Sequence, residues 1–304
     1  MSITNSAAAL RRWTVASLVA NMALVVTGGL VRLTKSGLGC PTWPQCEGAS
    51  YVPRSESGIH GLIEFGNRTL TFVLAAVAIG TFVAAWRARG ADGEPRQDLR
   101  RLAFLAGLLI PLQAGIGGVT VLTQLNPWVV ALHLLASVAI IGICVAMVHL
   151  THGLPVRDTT SLGSVLVKAG FVLALLTVVL GTAVTGAGPH SGDGGALRNG
   201  LSPELTAKVH AWVVWALVAV TVAALAVTRA RVVAVLLAVE LLQGVVGYVQ
   251  YFAHLPVALV ATHLLGVTLT AAAATAALLG VRRGSPPSPR RSTTTAPALQ
   301  DVTP

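Results

Sequence analysis

The chain has 304 residues, of which 54% are hydrophobic and only 11% are charged, a balance that excludes an ordinary soluble globular domain. Its formal net charge of +10 at pH 7 would suit a nucleic-acid-binding protein. The basic residues, however, gather at the ends of long apolar segments, and this distribution argues against a nucleic-acid-binding surface.

Eight apolar segments are each long enough to span a hydrocarbon core of about 30 Å. They lie near residues 13–33, 60–86, 101–122, 128–150, 163–185, 206–228, 230–250 and 257–281. The first segment is long and lacks a small-x-small cleavage pattern, so we expect a retained helix rather than a cleaved signal peptide. The sequence therefore predicts an all-α integral membrane protein with eight transmembrane helices.

The arginines predict the orientation of these helices. If the N-terminus is cytoplasmic, most arginines fall in cytoplasmic segments, whereas the outer loops contain only Lys35, Arg54 and Arg198. This asymmetry follows the positive-inside rule and places both termini in the cytoplasm. The basic residues then serve first as topology signals and as contacts with membrane lipid.

The second segment begins with "IHGLIEFGNRTL" (59–70), which carries unusually many polar residues for a membrane helix. His60, Glu64 and Asn67 have i, i+4, i+7 spacing and share one helix face. Polar groups at membrane depth are costly, so they are functional candidates by default. We expect this face to line the bundle interior, where a haem-sized cofactor or substrate could lie.

An internal repeat divides the chain into two halves. "LQAGIGGVTVLTQLNPWVVALHLLAS" (112–137) resembles "LQGVVGYVQYFAHLPVALVATHLLGV" (242–267), with a glutamine and a histidine at the same interval in each. We therefore predict two pseudo-symmetric four-helix bundles, residues 1–158 and 159–284. Because four is even, both bundles insert in parallel orientation. The Pro/Ser/Thr-rich tail, residues 285–304, is predicted to be disordered and cytoplasmic.

Three histidines lie at one depth, about 7–10 Å inside the outer ends of even-numbered helices: His133, His210 and His263. Neutral imidazole is a good axial ligand for haem iron, and two histidines on neighbouring helices of a four-helix bundle can hold a haem. The interpretation favours His210 and His263 as such a pair. Asn67, and not His60, lies at the same depth in the membrane as His210, so Asn67 is the positional equivalent of His210 in the first half.

These features together resemble the haem A synthase family over all eight helices. The residues that carry the resemblance are "TGGLVRLTKSGLGCPTWPQC" (27–46), "IEFGNR" (63–68) and the three helical histidines. The resemblance implies a multi-pass protein of the bacterial plasma membrane that oxidises a ring methyl of haem O, by successive hydroxylations, to the formyl group of haem A for a terminal oxidase. It also implies haem b held by His210 and His263, and a substrate site in residues 1–158 with Glu64 as the catalytic carboxyl.

The chain departs from the family at one position. The family pattern is Glu-x-x-His-Arg, whereas Asn67 stands here before Arg68, and asparagine is a poor iron ligand. Either His60 takes over as the second ligand, or the iron of the substrate has His133 alone or with water. Arg32 and Arg68 are candidate contacts for haem propionates. The alternatives are an interfacial anchor for Arg32 and a structural Glu64–Arg68 pair.

Cys40 and Cys46 lie in the first outer loop, where a disulfide can persist. The resemblance suggests a redox-active pair near the substrate, so that both are catalytic candidates; the alternative is a purely structural disulfide. The third cysteine, Cys144, is expected to be a packing residue within a helix.

The main rival function is a di-haem b-type membrane electron-transfer protein, which would use the same histidines but has no use for Glu64. A transporter is less favoured, because its helices would be broken near the midplane. Expected partners of a haem A synthase are membrane lipid, the farnesyltransferase that produces haem O, an electron carrier of unknown type and a second copy of the chain.

Overall fold

The structure is a computed structural model that describes residues 3–190 and 192–284, with side chains from residue 7 onward. Over these residues, eight helices are long and apolar enough to cross a membrane, which confirms the predicted all-α integral membrane protein. The helices are α1 (Ile3–Leu33), α2 (Gly58–Arg87), α3 (Gln97–Leu122), α4 (Pro127–His152), α5 (Ser161–Ala187), α6 (Pro203–Thr228), α7 (Arg231–Phe252) and α8 (Val257–Gly280). The tail predicted to be disordered, residues 285–304, lies outside the described residues.

Local sequence signals explain where several helices begin. The side chain of Asn126 accepts a hydrogen bond from the amide of Trp128 at the start of α4, and Pro127 occupies the first helical position. The hydroxyl of Ser202 caps α6 in the same way, by accepting a bond from the amide of Leu205. These caps define where α4 and α6 begin.

The helices form two groups, which we name the N-terminal bundle (α1–α4) and the C-terminal bundle (α5–α8). In the first, α1 packs against α2 and α4, and α3 packs against the same two helices. In the second, α5 and α7 both pack against α6 and α8. Helices α2 and α4 therefore occupy opposite corners of one bundle, and α6 and α8 opposite corners of the other. The bundles meet through α1, α4, α5 and α8.

The α3–α4 and α7–α8 turns have the same backbone conformation. Each contains two successive non-glycine residues with positive φ, Gln124 (53°) with Leu125 (59°) and His254 (62°) with Leu255 (60°). The amides of Leu125 and Leu255 bond to the carbonyls five residues earlier, at 2.7 and 2.8 Å. The sequence repeat thus has a counterpart in the geometry of the two hairpins.

A small parallel strand pair, which the sequence did not predict, ties two chain segments together at one end of the molecule. Strand β1 (Arg157–Thr159) pairs with β2 (Val281–Arg283), and the guanidinium of Arg282 lies 2.7 Å from the carboxylate of Asp158. Three-residue strands are too short to show an alternating pattern, which explains why they were missed. We call this the inner end, and the end that carries the Cys40–Cys46 loop the outer end.

Candidate functional site

Three imidazoles with unpaired ring nitrogens lie near the outer end. His133, His210 and His263 stand in the first two turns of α4, α6 and α8, and all three are partly buried. In each, Nδ1 is buried and has no hydrogen-bond partner in the described part of the chain. Because Nδ1 is enclosed by the chain, Nε2 is the ring nitrogen that remains for a group from outside the chain. Unpaired imidazoles of this kind fit axial ligands of haem iron.

Each imidazole lies against a glycine of the preceding helix. A Cβ built on that glycine would lie 3.3–3.4 Å from the Cε1 atom of the ring, tighter than an ordinary contact. The three pairs are Gly117 with His133, Gly181 with His210, and Gly247 with His263. The absence of a side chain at these glycines lets the Cε1 edge of the ring lie close to the neighbouring helix, which fixes its position in the bundle.

Asn67 occupies the corresponding place in the first hairpin. A Cβ on Gly28 of α1 would lie 3.8 Å from Nδ2 of Asn67, and Oδ1 of Asn67 is buried without a hydrogen-bond partner among the described residues. His60 lies nearer the outer end, is exposed, and its Nδ1 atom is 2.9 Å from the hydroxyl of Ser36. The geometry thus agrees with the depth argument that makes Asn67, and not His60, the counterpart of the helical histidines.

Two glutamines hold the backbone at the histidines of the repeat. Nε2 of Gln113 donates to the carbonyl of His133 at 3.0 Å, and Nε2 of Gln243 donates to the carbonyl of His263 at the same distance. Each bond joins an odd-numbered helix to the following even-numbered helix. The repeat drew attention to these glutamines, but the sequence did not show that they contact the histidines.

Glu64 and the disulfide loop form one connected unit. Cys40 and Cys46 are joined by a disulfide, which is compatible with both a structural and a redox-active pair, and both are fully buried. The amide of Cys40 donates to Oε2 of Glu64 at 2.8 Å. Oε1 of Glu64, a residue only 5% exposed, accepts bonds from Arg68 at 2.6 and 3.1 Å. The carboxylate is therefore held between the next turn of α2 and the backbone of the disulfide loop.

The N–H donors of Arg68 form hydrogen bonds within the chain itself. A guanidinium has five N–H groups. Besides the two bonds to Glu64, Arg68 donates to three carbonyls of the disulfide loop, those of Cys40, Thr42 and Gln45, at 2.9, 3.1 and 3.2 Å. The predicted propionate contact of Arg68 would therefore have to displace one of these bonds, and the geometry favours a role in holding the loop.

Arg32 joins the outer loops of the two bundles. Its Nε atom donates to the carbonyl of His190 at 2.6 Å and its Nη2 atom to that of Thr185 at 3.2 Å. The Nε2 atom of His190 in turn lies 2.9 Å from the carbonyl of Leu255, in the α7–α8 turn. His190 therefore takes part in the contact between the outer loops.

One buried carboxyl was missed by the sequence reasoning. Glu240 lies in the middle of α7, is 3% exposed, and accepts a hydrogen bond from the hydroxyl of Thr221 at 2.9 Å. A single acidic residue within the 230–250 apolar segment was the signal that could have identified it.

Residues 11–191 match a family described as cytochrome oxidase assembly protein, COX15-CtaA. Several curated proteins described as "Heme A synthase" are similar to the chain. The protein of Lysinibacillus sphaericus is 36% identical over 124 residues, which are 40% of this chain and 38% of that protein. The protein of an Exiguobacterium species is 33% identical over 117 residues, 37% and 36% of the two chains. That of Listeria monocytogenes is 31% identical over 142 residues, 46% and 44% of the two chains. The chain spans less than half the length of the curated relatives it matches.

Proposed function

Because the chain belongs to the COX15-CtaA family of cytochrome oxidase assembly proteins, we propose that it is a haem A synthase of the bacterial plasma membrane. Its substrate is haem O, and two successive hydroxylations of one ring methyl give a hydrate that loses water to leave the formyl group of haem A. The observation that carries the proposal is the set of three partly buried imidazoles, each with Cε1 against a glycine of the preceding helix and Nδ1 enclosed by the chain, which leaves Nε2 for iron.

The C-terminal bundle is proposed to hold haem b between His210 and His263. These residues project from α6 and α8, which occupy opposite corners of the bundle. When bound, haem b supplies a one-electron redox centre. Gly181 and Gly247 set the ring positions, and Gln243 holds the backbone of α8 at His263.

The N-terminal bundle is proposed to hold haem O between α2 and α4, with His133 as the ligand of the substrate iron. Asn67 faces that position from α2, and an amide does not bind iron well. His133 would therefore hold the iron of the substrate alone or with water. Because His60 is exposed and its ring lies beside Ser36, we give it no role as an iron ligand.

Glu64 is proposed to be the catalytic carboxyl. It lies on the same face of α2 as Asn67, and its two oxygens are oriented by Arg68 and by the amide of Cys40. A carboxylate fixed in this way stabilises positive charge that develops at the methyl carbon, or accepts a proton released there. The buried Cys40–Cys46 disulfide lies directly behind Glu64, and we propose that it takes part in the reaction as a redox-active pair.

The proposed partners follow from this reaction. Haem O reaches the site from the farnesyltransferase that produces it, and an electron carrier exchanges electrons with haem b. Arg32, near the outer ends of both bundles, remains the proposed propionate contact. We also propose that two copies of the chain associate in the membrane.

Co-expression with a source of haem O, followed by chromatography of the extracted haems, tests this function. We expect haem A and haem b from the natural sequence, and haem b with unconverted haem O from Glu64→Ala. The exposed acidic residue Glu56 of the same outer region provides a matched control, and Glu56→Ala should give the natural haem A yield. The same experiment with Cys40→Ser/Cys46→Ser tests the cysteine pair.

An unchanged haem A yield in Glu64→Ala would remove the catalytic assignment. Haem b alone from the natural sequence, in spite of a haem O supply, would favour the di-haem electron-transfer protein instead.

A further inference from the structure

Glu240 is a buried carboxyl that has no role in the proposed oxidation of haem O. Its Oε1 atom accepts the bond from Thr221 at 2.9 Å, and its Oε2 atom is buried with no hydrogen-bond partner in the described part of the chain. Both residues are almost fully buried, with 3% and 1% of their surfaces exposed. A charged carboxylate in such a place is costly unless it is compensated, and binding of a proton is the simplest compensation.

The N-terminal bundle has no such pair at the equivalent place. Glu240 precedes Gln243 by one turn, as Ile110 precedes Gln113, so the repeat aligns Glu240 with Ile110. Ile110 is buried in a cluster with Ala78 and Leu74 of α2, which is entirely apolar. Packing at this place therefore does not require a polar pair. The carboxyl is specific to the bundle that is proposed to hold haem b.

The surroundings of Glu240 hold no cation in contact with it. Helix α7 packs against α6 and α8, and α5 lies across the bundle. Apart from Glu240, the charged or titratable side chains of α5, α6, α7 and α8 all lie near helix ends or are exposed. They are Lys168, Glu204, Lys208, His210, Arg231, Tyr248, Tyr251 and His263. Among the described residues, the hydrogen bond of Glu240 is made with Thr221, and no ion pair includes its carboxyl.

Glu240 is close enough to the histidine level to respond to a charge there. On α7 it lies seven residues before Gly247, the glycine against which His263 rests, a rise of about 10 Å. At this separation in a low-dielectric interior, one unit charge acts appreciably on another. A cavity of about 10 Å³ borders Thr221 between Gly170 and Leu236, and its other lining side chains are apolar.

We propose that Glu240 and Thr221 form a proton-binding site, which takes up one proton when the haem held by His210 and His263 takes up one electron. This part of the inference rests on the proposed function, because it requires haem b in the C-terminal bundle. The iron gains the electron from an external one-electron reductant. The carboxylate oxygen gains the proton from a hydronium ion of the solvent, whose O–H bond breaks as the carboxyl O–H bond forms, so the negative charge added with the electron is balanced.

Infrared difference spectroscopy between acid and alkaline pH tests the proton-binding site without reference to haem. The purified natural protein should show the carbonyl band of a protonated buried carboxyl, and Glu240→Gln should lack it. Glu204→Gln is the matched control, since Glu204 is an exposed carboxyl of the same bundle, and this variant should keep the band. The same band in Glu240→Gln would overturn the proposal.

Redox titration with dithionite at several pH values tests the coupling to the haem. The midpoint potential of the natural protein and of Glu204→Gln should fall as pH rises, and that of Glu240→Gln should not change with pH. Equal pH dependence in all three proteins would overturn the coupling. Should Glu240→Gln fail to accumulate, proton uptake by the natural protein on reduction, followed with a pH-indicator dye in unbuffered solution, decides the question, and zero uptake contradicts the proposal.

A natural protein purified without haem b would instead contradict the proposed function. The infrared experiment would still decide whether Glu240 binds a proton, so the two failures are distinguishable.

Discussion

At the scale of single residues, Asn67 occupies the place that a histidine occupies in the other three hairpins. Its side chain lies against Gly28, as the histidine rings lie against Gly117, Gly181 and Gly247. A histidine at this place would face His133 across the N-terminal bundle and could supply a second imidazole to one iron. The proposed substrate site therefore offers one imidazole to iron where the Glu-x-x-His-Arg pattern would offer two.

Asn67→His should convert the substrate iron from one imidazole ligand to two. With haem O supplied, we expect the electron paramagnetic resonance spectrum of the N-terminal site to change from high-spin to low-spin, because two imidazoles give a strong ligand field. Asn67→Ala removes the amide without adding a ligand and should keep the high-spin signal. A second low-spin signal in the natural protein with haem O, besides the signal expected from haem b between His210 and His263, would contradict the single-histidine assignment.

Arg68 is expected to matter for stability as much as for activity. Arg68→Ala leaves the buried Glu64 carboxylate without its cation and frees three carbonyls of the disulfide loop. Removal of one partner of a buried pair costs about 3–5 kcal/mol, so we expect a clear loss of thermal stability in detergent and a loss of haem A yield. Arg54→Ala changes an exposed arginine of the same outer region and should alter neither. A natural melting temperature for Arg68→Ala would show that the pair does not hold the loop.

At the scale of helices, the contact of each imidazole with a glycine predicts bundle-specific effects. A Cβ at Gly181 or Gly247 would press on Cε1 of the adjacent ring, so Gly181→Ala and Gly247→Ala should lower the haem b content or shift its absorption maximum. Gly117→Ala should leave haem b unchanged, since it presses on His133 of the other bundle. Gly244→Ala is the control on α7, because a Cβ there meets nothing within 4 Å.

The sequence predicted the helices well because their signal is simple. A long apolar segment is recognisable without knowledge of its partners, and all eight helices lie where they were expected. The depth of the histidines and of Asn67 followed from counting residues along helices of known rise. The contacts of Gln113 and Gln243 with histidine carbonyls could not be predicted, because they depend on which helices lie side by side.

The loops were the least predictable part of the site. Nothing in the first outer loop shows that Arg68 would use its remaining donors on that loop, and hence leave none for a propionate. The contact of His190 with Leu255 likewise joins residues far apart in the sequence. Such contacts arise only after both bundles have formed, and no local pattern encodes them.

At the scale of the whole molecule, Arg32 is expected to contribute to the contact between the two bundles. Arg32→Gln loses charged hydrogen bonds to the carbonyls of Thr185 and His190, each worth about 1.5–3 kcal/mol. We expect a lower melting temperature while the haem b content stays natural. Arg198→Gln alters an exposed arginine of the second outer loop region and should have a much smaller effect. Loss of haem b in Arg32→Gln would instead indicate a direct contact with that haem.

The haem content of purified histidine variants tests most directly which bundle binds haem b and which binds haem O. The account predicts that His210→Ala and His263→Ala each lose haem b, whereas His133→Ala keeps haem b but binds no haem O and forms no haem A. Loss of haem b from His133→Ala, or full haem b content in His210→Ala and His263→Ala, would contradict it.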